Sequence, residues 1–145
     1  MGRSSLDEAA LVVEALGREF EVTGVERLDV GGLDVTVLDL GEISGRRVAV
    51  SVLPEATTIN IWSSRRAVAA GLLVAGGREP LVIVYSRRGR MTKAAYLYLG
   101  YSAYHRGFEV VVVNGGPGEV REVLESLSTI GRVRVSEERL YPVRP

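Results

Sequence analysis

The sequence contains no cysteine, no glutamine, one histidine and one lysine. Each absence removes a class of chemistry. Without cysteine there are no disulfides, thiolate metal sites or cysteine nucleophiles. With His105 alone, no site can use two imidazoles, which excludes the common histidine-rich metal centres. Long apolar runs are missing as well. Runs such as residues 81–85 and 110–113 fall far short of the roughly 20 residues that cross a bilayer, so no membrane association is expected. Met1-Gly2-Arg3-Ser4-Ser5 leads into an acidic amphipathic stretch rather than an apolar signal core, and the expected location is cytoplasmic. Asparagine occurs only at Asn60 and Asn114. Such scarcity of thermolabile side chains fits a heat-adapted protein, although the arginine excess has a second source in a GC-rich genome.

What is present is a 145-residue chain with 46% hydrophobic residues, enough for one domain with a real core. Its zero net charge conceals a segmental asymmetry. Residues 1–45 hold three arginines against ten acids, residues 46–108 hold nine arginines and Lys93 against Glu55 and Glu79, and residues 109–145 are nearly balanced. A basic middle of this size points to an anionic partner, or else to cancellation against the acidic N-terminal part.

Hydrophobic periodicity gives the order of elements. Ser5 caps a helix in which Leu6, Ala9, Ala10, Val13 and Leu16 repeat at helical spacing up to Gly17. Period-two patterning then gives strands around Phe20, Val22 and Val25, at 33–40 and at 47–53, the last ended by Pro54. Residues 57–62 read as a short extra strand or an extended approach. A second helix capped by Ser63 or Ser64 runs to Ala75, strand 81–85 follows Pro80, and a third helix covers 92–106. Strand 108–113, helix 119–127 and strand 132–135 complete the order αβββαβαβαβ. This order predicts an α/β fold with a mixed central sheet flanked by helices. On the third helix, Tyr101 and Tyr104 are expected to pack with Ala94, Leu97 and Phe108, leaving Tyr98 and His105 on another face. His105 reads as a C-terminal capping residue rather than a general base.

Three constellations carry chemistry. In Ser86-Arg87-Arg88-Gly89-Arg90-Met91-Thr92-Lys93, cations crowd a loop between a buried strand and a helix start. Ligands of open α/β sheets collect at such strand ends, and arginine grips phosphate bidentately. Arg65 and Arg66 open the second helix and extend this basic surface if the strand order brings them near. Asn114-Gly115-Gly116-Pro117-Gly118 sits between strand and helix but lacks the Lys-Ser/Thr ending of a P-loop, and it reads as a tight turn. Finally, Gly31-Gly32-Leu33-Asp34-Val35 places a carboxylate at the start of a strand, where a divalent metal can be held or where an ordinary turn aspartate stands.

The order helix, three-strand meander, helix, strand, together with Gly32-Leu33-Asp34-Val35, resembles the core of restriction-endonuclease-like nucleases, including archaeal Holliday-junction resolvases. The resemblance covers about residues 5–86, with 87–145 as an α/β extension of the same single domain. It implies a helical acid, which Glu8 or Glu14 matches, and a Gly-x-Asp element, which Asp34 matches. It also implies a Glu-x-Lys element on the third strand, where this chain reads Val48-Ala49-Val50-Ser51-Val52-Leu53. A magnesium-dependent phosphodiesterase needs carboxylates to hold the metal and a group to activate water; Arg46 and Arg47, permanently protonated, cannot act as that base. The resemblance therefore implies a degenerate, non-catalytic, nucleic-acid-binding member, with Asp34 and Glu14 as weak catalytic candidates and Mg2+ required only if activity survives. Arg65, Arg66, Arg87, Arg88, Arg90 and Lys93 are the expected phosphate contacts, with Tyr98 available for base stacking. Two alternatives stand beside it. One is an α/β enzyme or sensor binding a small phosphorylated ligand between the 86–93 and 114–118 loops. The other is a structural subunit of a nuclease complex, or a homodimer. The degenerate reading predicts no cleavage of DNA or RNA with Mg2+; robust cleavage abolished by Asp34→Ala would overturn it.

Overall fold

In the computed structural model, which describes residues 2–132 and 140–143, ten elements follow one another in the expected order. They are α1 (Ser5–Leu16), β1 (Gly24–Val30), β2 (Leu33–Ile43), β3 (Arg46–Val52), α2 (Ile61–Ala75), β4 (Leu81–Tyr85), α3 (Lys93–Arg106), β5 (Glu109–Val113), α4 (Gly118–Ile130) and β6 (Leu140–Val143). All six strands form one sheet in chain order. The first three pair antiparallel, β3, β4 and β5 pair parallel, and β6 returns antiparallel on the edge.

Local chemistry explains the boundaries. Ser4, not Ser5, caps α1: its hydroxyl accepts the Asp7 N–H at 3.2 Å, and Asp7 and Glu8 in the first turn favour the helix dipole. The buried face of α1 is Ser5, Glu8, Ala9, Val12 and Leu16, whereas Leu6 and Val13 are exposed. Ala9 and Leu16 of the expected repeat are buried, and Ser5 and Glu8 join them because they find partners in β2 and in the loop after β4. The first strand begins at Gly24, later than expected, and Phe20 and Val22 pack against the core from outside it. Val30 pairs Leu33 across a two-residue turn of Gly31 and Gly32, both with positive φ, as a tight hairpin requires. Helix α2 starts at Ile61 rather than after Ser63. Asn60 caps it, its Oδ1 accepting the Ser63 N–H at 2.9 Å while Ser63 Oγ accepts the Asn60 N–H at 3.0 Å. Residues 57–62 form no strand, only a single parallel bridge between Ile59 and Met91. The last strand is β6 at 140–143; of the expected 132–135, Arg132 is a bend and 133–135 lie outside the described residues.

The helices divide between the two faces of the sheet. On one, α1 and α4 cover Leu38, Val50, Val52, Ile83, Val111 and Val113. On the other, α2 and α3 cover Val35, Val37, Ala49, Val82, Val84 and Val112. Strands β4 and β5 are buried along their whole length, which accounts for their unbroken aliphatic runs. Helix α2 approaches the sheet closely at Gly71. A Cβ there would stand 2.5 Å from Val82 Cγ1 and 2.9 Å from Ser51 Oγ, which donates to the Ala67 carbonyl at 2.7 Å. Gly71→Ala is therefore expected to destabilise the fold by about 1–3 kcal/mol through overpacking, read as a lowered urea midpoint at unchanged slope. An unchanged midpoint would show that the helix can lift away.

Candidate functional site

The parallel strands end at one edge, and the connections leaving them build the site. Pairing runs one step beyond the strands, with the Leu53 N–H on the Tyr85 carbonyl at 2.9 Å and the Ser86 N–H on the Val113 carbonyl at 3.1 Å. The loop after β4 then lies against the segment after β3. The Ile59 N–H donates to Arg90 O at 2.7 Å, Thr92 N–H to Ile59 O at 2.9 Å, and Arg88 N–H to Glu55 O at 2.8 Å. Ser86 Oγ donates to Thr57 O at 2.9 Å and accepts the Gly89 N–H at 3.2 Å. Gly89 has no room for a side chain, since a Cβ would fall 1.7 Å from Thr57 O. The basic loop is thus fixed in place by its backbone.

Its charges divide into two groups. Arg87 forms a two-pronged pair with Glu8, at 2.8 and 3.0 Å, and Glu8 has no solvent exposure. Arg87 and Arg88 also reach Glu55, at 3.3 and 3.1 Å. The Arg3 N–H, at 3.2 Å, is the leading cause that holds the Glu55 carboxyl below its ordinary value; burial opposes it, and the arginine cations add to it. Arg65, Arg90 and Lys93 are exposed and Arg66 is half-buried; among the described residues none of the four forms an ion pair.

Helices α2 and α3 both begin at this edge, side by side, joined by the Ile59–Met91 bridge immediately before their caps Asn60 and Thr92. Neither carries an acid in its first turn. Arg66 stacks on Trp62, its guanidinium carbon 4.3 Å from the ring centre, and donates to the Trp62 carbonyl at 3.0 Å. Ile61 and Trp62 are exposed beside it. The strand order therefore brings Arg65 and Arg66 to the same edge as the 86–93 loop.

An open cleft of about 510 Å³ lies at this edge, lined by Arg88, Arg90, Thr92, Lys93, Tyr96 and Asn114 among others. It occupies the point where β4 leads to the α2/α3 face and β5 to the opposite one, the position at which ligands of open α/β sheets bind. Tyr85 OH donates to Gly115 O at 2.7 Å, pinning the far wall. Burial, reinforced by the Glu8 carboxylate, pushes the Tyr85 phenol well above its ordinary value, so it remains a donor. Asn114–Gly118, expected as a tight turn or, in the alternative reading, as a wall facing the 86–93 loop, contributes the Asn114 side chain to the cleft.

Asp34 lies on the α1 face. It accepts the Ser5 N–H at 2.9 Å and Ser5 Oγ at 2.7 Å, and receives both prongs of Arg27 at 2.9 and 3.2 Å. Desolvation raises its pKa, but the Arg27 and Ser5 hydrogen bonds outweigh it and leave the carboxyl below the ordinary range. From β3 the same face receives Val48, Val50 and Val52. Glu14 is exposed on the far half of α1. Among the described residues, no group of three or more His, Cys, Asp or Glu is placed to hold a metal ion. On α3 the buried residues are Ala95, Leu99 and Ala103, not the expected tyrosine stripe. Leu97 is 60% and Tyr101 68% exposed, whereas Tyr98 is half-buried against the core; the side chains of Tyr104 and His105 lie outside the described residues. The Ala95–Leu99–Ala103 row faces the core at helical spacing, with Leu99 fully buried. No protein-family model, curated protein or solved structure matches the chain.

Two outcomes follow. Arg87→Ala leaves the Glu8 carboxylate buried without its cation and should cost about 3 kcal/mol, the low end for such a break because Arg87 itself stays partly in water. Glu8→Leu combined with Arg87→Met should recover most of it in denaturant melts. For Asp34, the folded pKa lies below the unfolded one, so the unfolded chain binds the proton more readily. Its contribution is present above about pH 5 and is lost as pH falls through the ordinary carboxylate range and below. The stability gap between the wild type and Asp34→Asn should therefore narrow on acidification; a gap that is constant from neutral to acid pH contradicts the pairing.

Proposed function

We propose that this chain is a nucleic-acid-binding domain whose restriction-endonuclease-like core does not cleave. One observation carries the binding part. Arg65, Arg66, Arg90 and Lys93, unopposed by acids among the described residues, stand at the starts of two adjacent helices, with Trp62 and Tyr96 exposed between and beside them. Phosphates are drawn to such cations and to helix N-termini, and the exposed rings offer stacking surfaces. Arg87 and Arg88 act differently: their acidic partners make them supports of the loop rather than principal contacts.

Support for a silent core comes from the Asp34 neighbourhood. Its oxygens are already engaged by Ser5 and Arg27, Glu8 is engaged by Arg87, and β3 contributes valines where a Glu-x-Lys pair would assist a metal. The helix, meander, helix, strand order of residues 5–85 supports the nuclease-like ancestry. The cleft favours a second reading, a sensor of a small phosphorylated ligand. Exposed Leu73, Leu97 and Tyr101 on the outer α2/α3 face offer a surface to a second copy or a nuclease subunit.

Binding through these cations must release counterions, so the logarithm of affinity should fall linearly with the logarithm of salt, by about 0.7–0.9 per phosphate neutralised. Arg65→Ala with Arg66→Ala should flatten that slope by about one to two units. A salt-independent affinity for short DNA and RNA in a fluorescence titration contradicts the reading.

A further inference from the structure

We propose that the cleft between the 86–92 loop and Asn114 holds a single nucleotide unit, with its phosphate against Arg90 and Lys93 and its base against Tyr96. This inference deepens the nucleic-acid reading and rests on it for the polymer as the source of that unit.

The cleft is a cavity, not a charged surface alone. Its volume of about 510 Å³ falls in the range of small-ligand sites. It sits where the outgoing connections of β4 and β5 part to opposite faces of the sheet. The lining has the composition a nucleotide needs. Arg90 and Lys93 are cations without an acidic partner among the described residues, and no acid lines the cavity. Arg88 also lines it, but its charge is met by Glu55 at 3.1 Å, so it shapes the wall more than it adds attraction. Tyr96 supplies a ring, and every base has a face that stacks on one. Asn114 supplies an amide that both donates and accepts, as a base edge or a sugar hydroxyl requires.

Both walls are fixed before any ligand arrives. Gly89 is wedged against Thr57 O, Ser86 Oγ bridges to the same carbonyl, and the Tyr85 hydroxyl holds Gly115. A prebuilt cavity loses little ordering entropy on binding. A base can lie against Tyr96 in the cleft only when it is out of a duplex stack, so the unit is an unpaired one. It is either a free nucleotide or an unstacked residue or end of a single strand.

The test titrates the full chain with AMP, UMP, inorganic phosphate and short single-stranded oligothymidylate and oligouridylate, in the wild type and in Tyr96→Ala, Tyr96→Phe and Arg90→Ala/Lys93→Ala, each first checked for an unchanged melting temperature. The expected result is that mononucleotides and oligonucleotides both bind and displace one another. Tyr96→Ala should weaken both about tenfold, Tyr96→Phe should restore them, and inorganic phosphate should bind more weakly than either and respond only to the Arg90/Lys93 pair. Mononucleotide binding with this dependence and no oligonucleotide binding upholds the cleft, makes the source a free nucleotide, and removes the nucleic-acid reading. Oligonucleotide binding that is indifferent to Tyr96→Ala and to mononucleotide competition overturns the cleft and leaves the nucleic-acid reading standing. Inorganic phosphate as tight as AMP overturns the base contact, and binding of none of these overturns both readings.

Discussion

A carboxylate shut away from water has to be paired, and the pairing of Glu8 with Arg87 is the constraint around which the functional edge is arranged. Glu8 projects from α1 on one face of the sheet; Arg87 begins the loop that leads from β4 to α3 on the other. Their two-pronged contact fastens the first helix to the carboxyl edge of the parallel strands. Glu55, from the segment after β3, joins the same arginine and its neighbour. Three stretches distant in sequence thereby converge on one guanidinium. The strictness of the surrounding loop, in which Gly89 has no room for even a methyl group, keeps that convergence in one geometry.

This pairing also sorts the positive charge. Acids from the N-terminal half neutralise Arg87 at the start of the loop, while Arg90 at its end and Lys93 at the start of α3 have no acidic partner among the described residues. The bridge between Ile59 and Met91 sets α2 beside α3, which adds Arg65 and the Trp62-stacked Arg66 to that edge. A segment with a large formal charge thus divides into cations paired with acids and cations without an acidic partner among the described residues. Only the second group can change its solvation when a polyanion arrives, so the proposed binding rests on them. Asp34 is governed by the same economy of pairs: with Ser5 and Arg27 around it, its oxygens serve the junction between α1 and the hairpin.

The order of elements was legible because it depends on patterns within each segment. The unbroken runs of β4 and β5 announce strands buried on two faces, and the Gly31-Gly32 pair announces a hairpin. What escaped is what depends on distant partners. On α1 the apolar repeat marks Ala9 and Leu16, but Ser5 and Glu8 look like surface residues until Asp34, Thr36 and Arg87 are brought to them. On helix α3 the reverse holds: its tyrosines look like core, yet Ala95, Leu99 and Ala103 face the core and leave Tyr101 exposed. Asn60 and Ser63 are equally suited by type to cap α2, and only the reciprocal bonds show which residue starts the helix. At the site, the basic loop was evident from its arginines. Which of its cations the N-terminal acids neutralise, and the place of Tyr96 in the lining, were not, since the cleft exists only where β4 and β5 send their chains to opposite faces.

The most direct measurement of where this protein meets its partner is backbone amide NMR on the full chain, with a short single-stranded oligonucleotide added stepwise. The account places the largest shift changes at 60–66, 86–96 and 114–116, with α4 and the β1–β2 hairpin quiet. Changes centred on α4, on the hairpin around Asp34, or spread evenly over the surface would contradict it.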